Sequence, residues 1–425
     1  MVLTFGSFLM LLAAGAPMVF VLGVAGALTL ALTTDVPLTV VAQRLYNGLD
    51  SFAIMAIPFF VLAGMLMEQG GIARRIVNLA AALVGWITGS LLMVATVTGT
   101  GLAAISGSGS ADTAAISSIL LPEMKRRNYD IDYAGCTIAA AGALAPIIPP
   151  SIIMVVVAMI SNISVGAMFL GGVVPGLIAA AGLLVANWCY ARRDPGRYRD
   201  TVSFSLPRLG VAFVDALPAL LMPICVVGGI VGGVVTPTEA AAVAVLVGLI
   251  VGLFIYRELK FRDLPALLLR TAGMSATVMI IIGTASIFSW LVAVQDVPGS
   301  LARWFEANIG AAAVYLLVVN VLLLVVGMFM ESISAILILM PVLLPIAIKM
   351  GIDPVHFGVV VSINLSIGLI TPPYGICLFV VSAVSGRSVG QLSRLVWIPL
   401  IPLIGMLLLI TYIPELVVWL PRSFL

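Results

Sequence analysis

Residues 105–127 read ISGSGSADTAAISSILLPEMKRR. Long apolar runs flank this stretch on both sides, yet residues 106–112 are all small or polar and end in the carboxylate of Asp112. The chain is 62% hydrophobic and 9% charged, against about 25% charged in an average soluble domain. Its mean hydropathy is +1.25. A lipid-embedded chain satisfies its backbone only as helices or a closed barrel, and a helix needs about 20 residues to cross the ~30 Å hydrocarbon layer. The apolar runs are long and do not alternate, so they predict helices and exclude a barrel.

Apolar spans fall at 17–34, 51–68, 133–161, 168–190, 211–232, 238–256, 272–294, 356–385 and 395–418. Residues 2–13 form one further span, or the first part of a helix kinked near Gly15-Ala16-Pro17. No cleavable leader is expected, because the first apolar run lacks a basic start and outlasts a signal core. Residues 86–124 and 311–348 are each too long for one crossing and are interrupted midway by polar residues.

Positive charge orients the chain. Arg192, Arg193, Arg197, Arg199 and Arg208 fill one loop, and Arg257, Lys260, Arg262 and Arg270 fill another. Both are cytoplasmic by the positive-inside rule. Counting outward puts Lys125-Arg126-Arg127, Arg387 and Arg394 on the same side, and residues 295–298 and 349–354 outside. Region 86–124 then enters and returns as a re-entrant hairpin from the cytoplasm, and region 311–348 as a second hairpin from the opposite face.

The halves also match in sequence. A shift of 223 residues lays Leu121-Pro122 on Leu344-Pro345, Asp130 on Asp353, Gly135 on Gly358 and Pro149-Pro150 on Pro372-Pro373. One residue further on, Ser164-Val165-Gly166 falls on Ser388-Val389-Gly390. Opposite orientation makes this an inverted repeat, a transporter signature. The expected fold is therefore an all-α polytopic membrane protein of two inverted repeats, 1–190 and 210–425, joined by a cytoplasmic linker at 191–209. Each repeat holds a re-entrant hairpin (86–124, 311–348) followed by a Pro-broken helix (133–161, 356–385). Short segments at 72–83 and 301–309 precede the hairpins and suit amphipathic interfacial helices or ordinary loops.

The breaks carry the candidate chemistry. In the first repeat they are the tip Ser106-Gly107-Ser108-Gly109-Ser110-Ala111-Asp112 and the helix break at Pro149-Pro150-Ser151. In the second they are Glu331-Ser332-Ile333-Ser334 and Thr371-Pro372-Pro373-Tyr374-Gly375. Consecutive prolines remove helical donors and open the helix. Freed carbonyls and Ser/Thr hydroxyls suit a cation, and helix N-termini after a break suit an anion. Other readings stand beside this one: a small-residue packing surface at 106–110, a helix cap for Asp112, and a plain kink at Pro149-Pro150. Glu331 is the acid whose place at an intramembrane tip points to ion or gate chemistry.

Three features are read as structural. Thr236-Pro237-Thr238-Glu239 is a capping box opening a span. Cys136, Cys189, Cys225 and Cys377 are scattered singly, without metal or redox spacing. His356, the single histidine, is expected at the interface. No nucleotide-binding loop or metalloprotease motif occurs, so the chain is not expected to be an enzyme, and a net charge of +2 implies no nucleic-acid partner.

Four motifs in this order, Gly-Ser-Gly-Ser-Ala-Asp-Thr, Ile-Ile-Pro-Pro-Ser, Thr-Pro-Thr-Glu-Ala-Ala-Ala and Ile-Thr-Pro-Pro-Tyr-Gly, resemble the large (M-type) membrane subunit of TRAP transporters, the tripartite ATP-independent periplasmic uptake systems. The resemblance covers essentially the whole chain. It implies a multi-pass protein of the bacterial inner membrane and of the ion-transporter superfamily, driven by a sodium gradient, with no cofactor beyond Na+ as coupling ion. It further implies two partners, a small (Q-type) membrane subunit and a periplasmic (P-type) binding protein delivering a small carboxylate such as a C4-dicarboxylate or a sugar acid. The mechanism it implies is an elevator, a transport domain holding both hairpins moving against a scaffold. Carried over residue by residue, it places sodium sites at Ser106, Ser108, Ser110 and Pro149, and at Glu331, Ser332, Thr371 and Pro372; with the breaks read above, the candidate sodium and substrate sites are Ser106, Gly107, Ser108, Gly109, Ser110, Asp112, Pro149, Pro150 and Ser151, and Glu331, Ser332, Ser334, Thr371, Pro372, Pro373 and Gly375. The competing expectations are a stand-alone divalent-anion/Na+ symporter and, remotely, an intramembrane enzyme using Asp112 and Glu331 as an acid pair.

Overall fold

The computed structural model describes residues 2–33, 36–198, 203–308 and 311–425. These form helices and their connections, with no strand among the described residues. Among the described residues, five helices are long and apolar enough to cross a membrane alone: Val165–Ala191, Leu206–Val231, Pro237–Ile255, Phe261–Val294 and Ser332–Lys349. Thr236 opens the third of these with the expected capping box, its hydroxyl accepting from Glu239 N at 3.3 Å while the Glu239 carboxylate accepts from Thr236 N at 2.7 Å.

Several boundaries differ from expectation. Residues 2–33 form two helices, Val2–Ala13 and Met18–Thr33. Thr4 reaches Gln295 and Phe8 lies on Phe288, whereas Gly23 faces Thr284 and Gly26 faces Ile287. The first therefore runs antiparallel and the second parallel to the helix Leu264–Val294, and Gly15 (φ +75°) turns the chain between them. The span expected at 395–418 bends by 62° between Trp397–Tyr412 and Glu415–Phe424, where Pro414 has no N–H to continue the first helix. A helix at Thr39–Leu49 was not anticipated. It packs on Leu264–Val294, and a methyl at Gly48 would come within 2.6 Å of Ser286 Oγ, so only glycine allows that approach. The short segment after Gln69 is the helix Ile72–Val84, turned 67° from its predecessor at Gly71 (φ +78°). Its counterpart is Val297–Asn308; Ile309, and Arg199 of the linker, lie outside the described residues.

The first hairpin pairs Ser90–Ser106 with Gly109–Arg126, and the second pairs Ala312–Gly327 with Ser332–Lys349. The last arm is long enough to cross alone, but the Tyr315 hydroxyl donates to Leu343 O at 2.7 Å, so both arms begin and end together. The first broken helix is Ile131–Gly142 with Ile152–Ser161, and the second is Pro354–Gly368 with Ile376–Ser385. At 1.5 Å per residue, each half is about 15–22 Å long and too short to cross by itself. Asp130 and Asp353 cap the two broken helices in the same way, each carboxylate accepting from the second and third following N–H groups.

Packing exchanges elements between the halves. The second arm of the first hairpin packs on Ile376–Ser385, and that of the second hairpin packs on Ile152–Ser161. Each hairpin is thus seated on a broken helix of the other repeat. A buried polar clasp recurs at an offset of 224 with its residues interchanged: Asn187 Nδ2 donates to Thr96 Oγ1 at 2.9 Å, and Asn320 Nδ2 donates to Thr411 Oγ1 at 2.9 Å. Tyr133 and Thr137 also donate to Asn187 Oδ1, at 2.8 and 3.0 Å. Such groups are costly to bury unpaired and tie three helices together once paired.

Polar contacts between loops fall into two sets. Arg75 binds Glu258, Arg197 Nε donates to the Asn128 carbonyl, and Arg387 binds Asp132. Arg303 binds Asp296, and Arg422 binds Asp353. Every pair joins loops that the charge count assigns to one side. His356, expected at the interface, is instead buried, its Nε2 lying 2.8 Å from the Ile410 carbonyl oxygen. The cysteines are free, Cys136 and Cys377 buried and Cys189 and Cys225 exposed.

Asn187→Ala removes the shared partner of three fully buried hydroxyls. It should cost about 2 kcal/mol, read as a lower unfolding temperature of the purified protein in detergent. An unchanged temperature would mean that water replaces the amide.

Candidate functional site

The first hairpin turns at Gly107, whose φ of +61° lies in the left-handed region that a glycine adopts without strain. A methyl there would also sit 2.9 Å from Pro150 O and 3.3 Å from Ile152 N, so the tip is pressed into the break of the first broken helix. Ser108 is the extended residue that opens the second arm at Gly109. Helix therefore begins three residues before Asp112, and Asp112 does not cap it. Its carboxylate instead reaches back across the tip: Ser106 Oγ donates to Asp112 Oδ1 at 2.6 Å and accepts from Ser108 N at 3.2 Å. Asp112 Oδ2 is buried with no hydrogen-bond partner.

That carboxylate lines a cavity of about 300 Å³ together with Ser106, Ser108, Ser110, Ile152 and, from the facing elements, Glu68 and Met274. The structure thus gathers three serines and the acid read from the sequence at one place. Gly107, Pro149, Pro150 and Ser151 stand behind them. The Ser151 hydroxyl donates to Pro146 O at 2.7 Å and accepts from Met154 N at 3.3 Å, bracing the break and capping the helix after it. Gly142 lets the hairpin close on the broken helix, since any Cβ would collide with Thr113 Oγ1. Gly109 touches Leu369 and Cys377, so the same tip rests against the second broken helix too. Glu68 ends an apolar span and carried no sequence signal beyond that position; Met274 carried none.

The second tip is built differently. Glu331 opens the helix Ser332–Lys349 as its N-cap, Oε2 accepting from Ser334 N at 3.1 Å and lying 3.4 Å from the Ser334 hydroxyl. The residue is exposed. Ser332 Oγ reaches Leu365 O at 3.4 Å, and Thr371 Oγ1 donates to Ile367 O at 2.8 Å, both on the second broken helix. Gly327 and Gly368 meet backbone to backbone, where a methyl on Gly368 would lie 2.7 Å from Gly327 O. Gly375 (φ +29°) returns the chain after Pro372-Pro373, and Cys377 N donates to Leu369 O across the break at 2.9 Å. Asn364, buried nearby, donates to Asn320 Oδ1 at 2.8 Å, and its own Oδ1 has no partner. The two acids, expected at separate tips, do separate work: Glu331 caps a helix, and Asp112 bonds to Ser106 across its tip.

A monovalent cation such as Na+ is held by oxygen donors. The first site fits one, because Asp112 Oδ2 is a carboxyl oxygen buried without a donor, a state that costs free energy unless a cation, water or proton satisfies it. Hydroxyls that donate to carbonyls, as Ser332 and Thr371 do, keep lone pairs for a cation.

The model of the DctM component of tripartite ATP-independent periplasmic transporters matches residues 5–416. The chain is 38% identical over 433 residues to the C4-dicarboxylate TRAP transporter large permease DctM of Rhodobacter capsulatus, covering 98% of each chain. It is 37% identical to the sialic acid TRAP transporter large permease SiaM of Vibrio cholerae, over 98% of this chain and 97% of that one. It is 41% identical to the isethionate TRAP transporter permease DctMQ of Oleidesulfovibrio alaskensis over 97% of this chain, which spans 65% of that protein's length. The solved structure of the Alcanivorax borkumensis YdaH transporter shares the fold, with a TM-score of 0.68 at 14% identity over 96% of this chain and 99% of that one. The chain belongs to the DctM family: it is a multi-pass inner-membrane permease of the TRAP type and not an enzyme.

Glu331 as a cap gives a graded expectation. Glu331→Ala should cost about 1 kcal/mol, whereas Glu331→Gln keeps an acceptor for Ser334 N and should unfold at the wild-type temperature. If Glu331→Gln lowers the unfolding temperature as much as Glu331→Ala, the cap is not what the carboxylate contributes.

Proposed function

We propose that the chain imports a small organic acid, coupled to Na+, after a periplasmic binding protein delivers it, and that a small membrane subunit completes the permease. The observation that carries this reading is the first hairpin tip, where a buried carboxylate oxygen without a donor faces a cavity lined by three serines. Coupling follows from the chemistry of that oxygen. A cation at Asp112 and the serine hydroxyls neutralises the tip, and only a neutralised tip receives a second, anionic ligand without repulsion. The relatives' names point the same way, since C4-dicarboxylates, sialic acid and isethionate all end in an oxyanion. The N–H groups that open Ile152–Ser161, directly beneath Gly107, supply positive dipole ends for such a group.

The movement is proposed as an elevator. Both hairpins and both broken helices interlock into one body, each half completing the other. The helices Leu206–Val231, Pro237–Ile250 and Leu264–Val294 form the scaffold side; the first exposes Phe213, Val214, Leu217, Leu221 and Ile224. The cavity at the first tip lies between these two parts, with Met274 on the scaffold and Ser108 on the moving body. Cytoplasmic residence of the 191–209 linker orients this cavity inward.

The test is uptake into proteoliposomes holding both membrane subunits, with loaded binding protein outside. Accumulation should follow an imposed inward Na+ gradient; accumulation indifferent to that gradient would remove the coupling, and equal uptake by this chain alone with free substrate would favour a stand-alone symporter. Ser108→Leu fills the cavity and should abolish uptake while the protein is inserted and unfolds normally. Wild-type uptake by this variant would place the substrate elsewhere.

A further inference from the structure

A second cavity, of about 500 Å³, opens at the other end of the same interface, between the unanticipated helix Thr39–Leu49, the helix Leu264–Val294 and the second hairpin. Among the described residues its lining is one cation, Arg44, with Ser51, Ser286, Ser289, Trp290 and apolar residues, and no carboxylate. We propose that Arg44 is the outward-side acceptor for the oxyanion of the incoming substrate, the group that first holds it when it leaves the binding protein. The inference rests on the transport reading above and extends it to the opposite face.

Three observations carry it. First, Arg44 has no ion pair to a described carboxylate, whereas Arg303 is paired with Asp296 at 2.8 Å and Arg422 with Asp353 at 3.4 Å on the same side. An unneutralised cation on the external side runs against the charge bias that orients the chain. Second, its guanidinium carbon lies over the Trp290 ring, 5.0 Å from the ring centre. A cation–π contact uses none of the guanidinium N–H groups as conventional hydrogen bonds, which leaves them for a carboxylate or sulfonate, the groups that arginine binds in bidentate fashion. Third, its backbone is fixed: the Ser286 hydroxyl donates to Arg44 O, and Gly48 and Gly283 bring the two helices into close contact. A cation–π staple alone would explain the stacking. It would not explain why Arg44 lines a cavity that also carries three serines.

The experiment has two arms. Purified wild-type protein in detergent is treated with phenylglyoxal, which modifies arginine, in buffer alone or with sodium succinate, sodium isethionate or uncharged succinamide, and adducts are counted by peptide mass spectrometry. Arg44 should react in buffer and be protected by an anion but not by succinamide. Equal reaction in all four conditions, or equal protection by succinamide, overturns the inference. In the second arm, Arg44→Gln should raise the half-saturating concentration of loaded binding protein about 10- to 100-fold, the loss expected for a charged hydrogen-bonding pair. Arg44→Lys should recover part of it, and both variants should unfold at the wild-type temperature. If the wild type transports and Arg44→Gln keeps the wild-type half-saturating concentration, the transport reading stands and the role of Arg44 falls. Labelling is read without transport, so protection of Arg44 supports the role even where the transport reading fails on these probes.

Discussion

Backbone groups released inside a hydrocarbon layer have no water to receive them, and this one constraint shapes the molecule. Two helices are opened by Pro149-Pro150 and Pro372-Pro373, and each opening frees carbonyls at membrane depth. The protein answers with backbone and hydroxyls from elsewhere. Ser151 returns its proton to Pro146 O, Cys377 N spans the second gap to Leu369 O, and Gly107 lays the tip of a hairpin against Pro150. The glycines at 107, 142, 327 and 368 are therefore a consequence of the prolines. Once a helix is opened, something must approach its backbone closely enough to shield it, and side chains at those points prevent the approach.

Shielding explains why the halves are interlocked and also why they are unequal. A hairpin entering from one face reaches the middle of the membrane, where it meets the broken helices of both halves, so neither repeat is closed without the other. The interchanged Thr96–Asn187 and Asn320–Thr411 pairs show that the duplicated positions keep the interaction even where the side chains trade places. At the tips the equivalence ends. Asp112 sits one turn inside its helix, past the capping position, and it pairs with Ser106 and leaves one oxygen bare. Glu331 sits one position before its helix, where the free N–H of Ser334 takes it. A shift of a few residues decides whether an acid caps its helix or bonds across the tip.

Much of this was legible in the residues. Hydropathy located the spans, charge bias ordered the loops, and the pairing of Asp130 with Asp353 exposed the repeat; both aspartates prove to be N-caps. Ser106, Ser108 and Ser110 were legible because small polar residues have no cheap reason to interrupt an apolar run. Three things were not. The helix Thr39–Leu49 buries no residue completely and mixes polar with apolar side chains, so its pattern resembles a loop. Gly15-Ala16-Pro17 supports a turn and a kink equally, and only the opposite run of contacts along Leu264–Val294 separates them. The part played by Glu331 depended on whether a helix began at 331 or 332, the kind of terminus that periodicity locates least well.

The helix Leu264–Val294 borders both cavities, with Met274 at one and Trp290 at the other. Sixteen residues of α-helix separate these positions, about 24 Å. From residue 276 to residue 288 the helix offers an anion almost nothing. Thr277, Thr284 and Ser286 already donate their hydroxyl protons to backbone carbonyls, and Ile281, Ile282 and Phe288 are apolar. An anion moving along this wall unaccompanied would shed its water without regaining hydrogen bonds, a cost of many kcal/mol. If both cavities serve the same substrate, its ligands must travel with it. The serines, the Asp112 carboxylate and the N–H groups at Ile152 all belong to the interlocked hairpin body, which is the part whose polar groups are already gathered around a single point. The scaffold wall, whose hydroxyls from 277 to 286 are already committed to backbone carbonyls, is what such a body can slide past without gaining or losing hydrogen bonds.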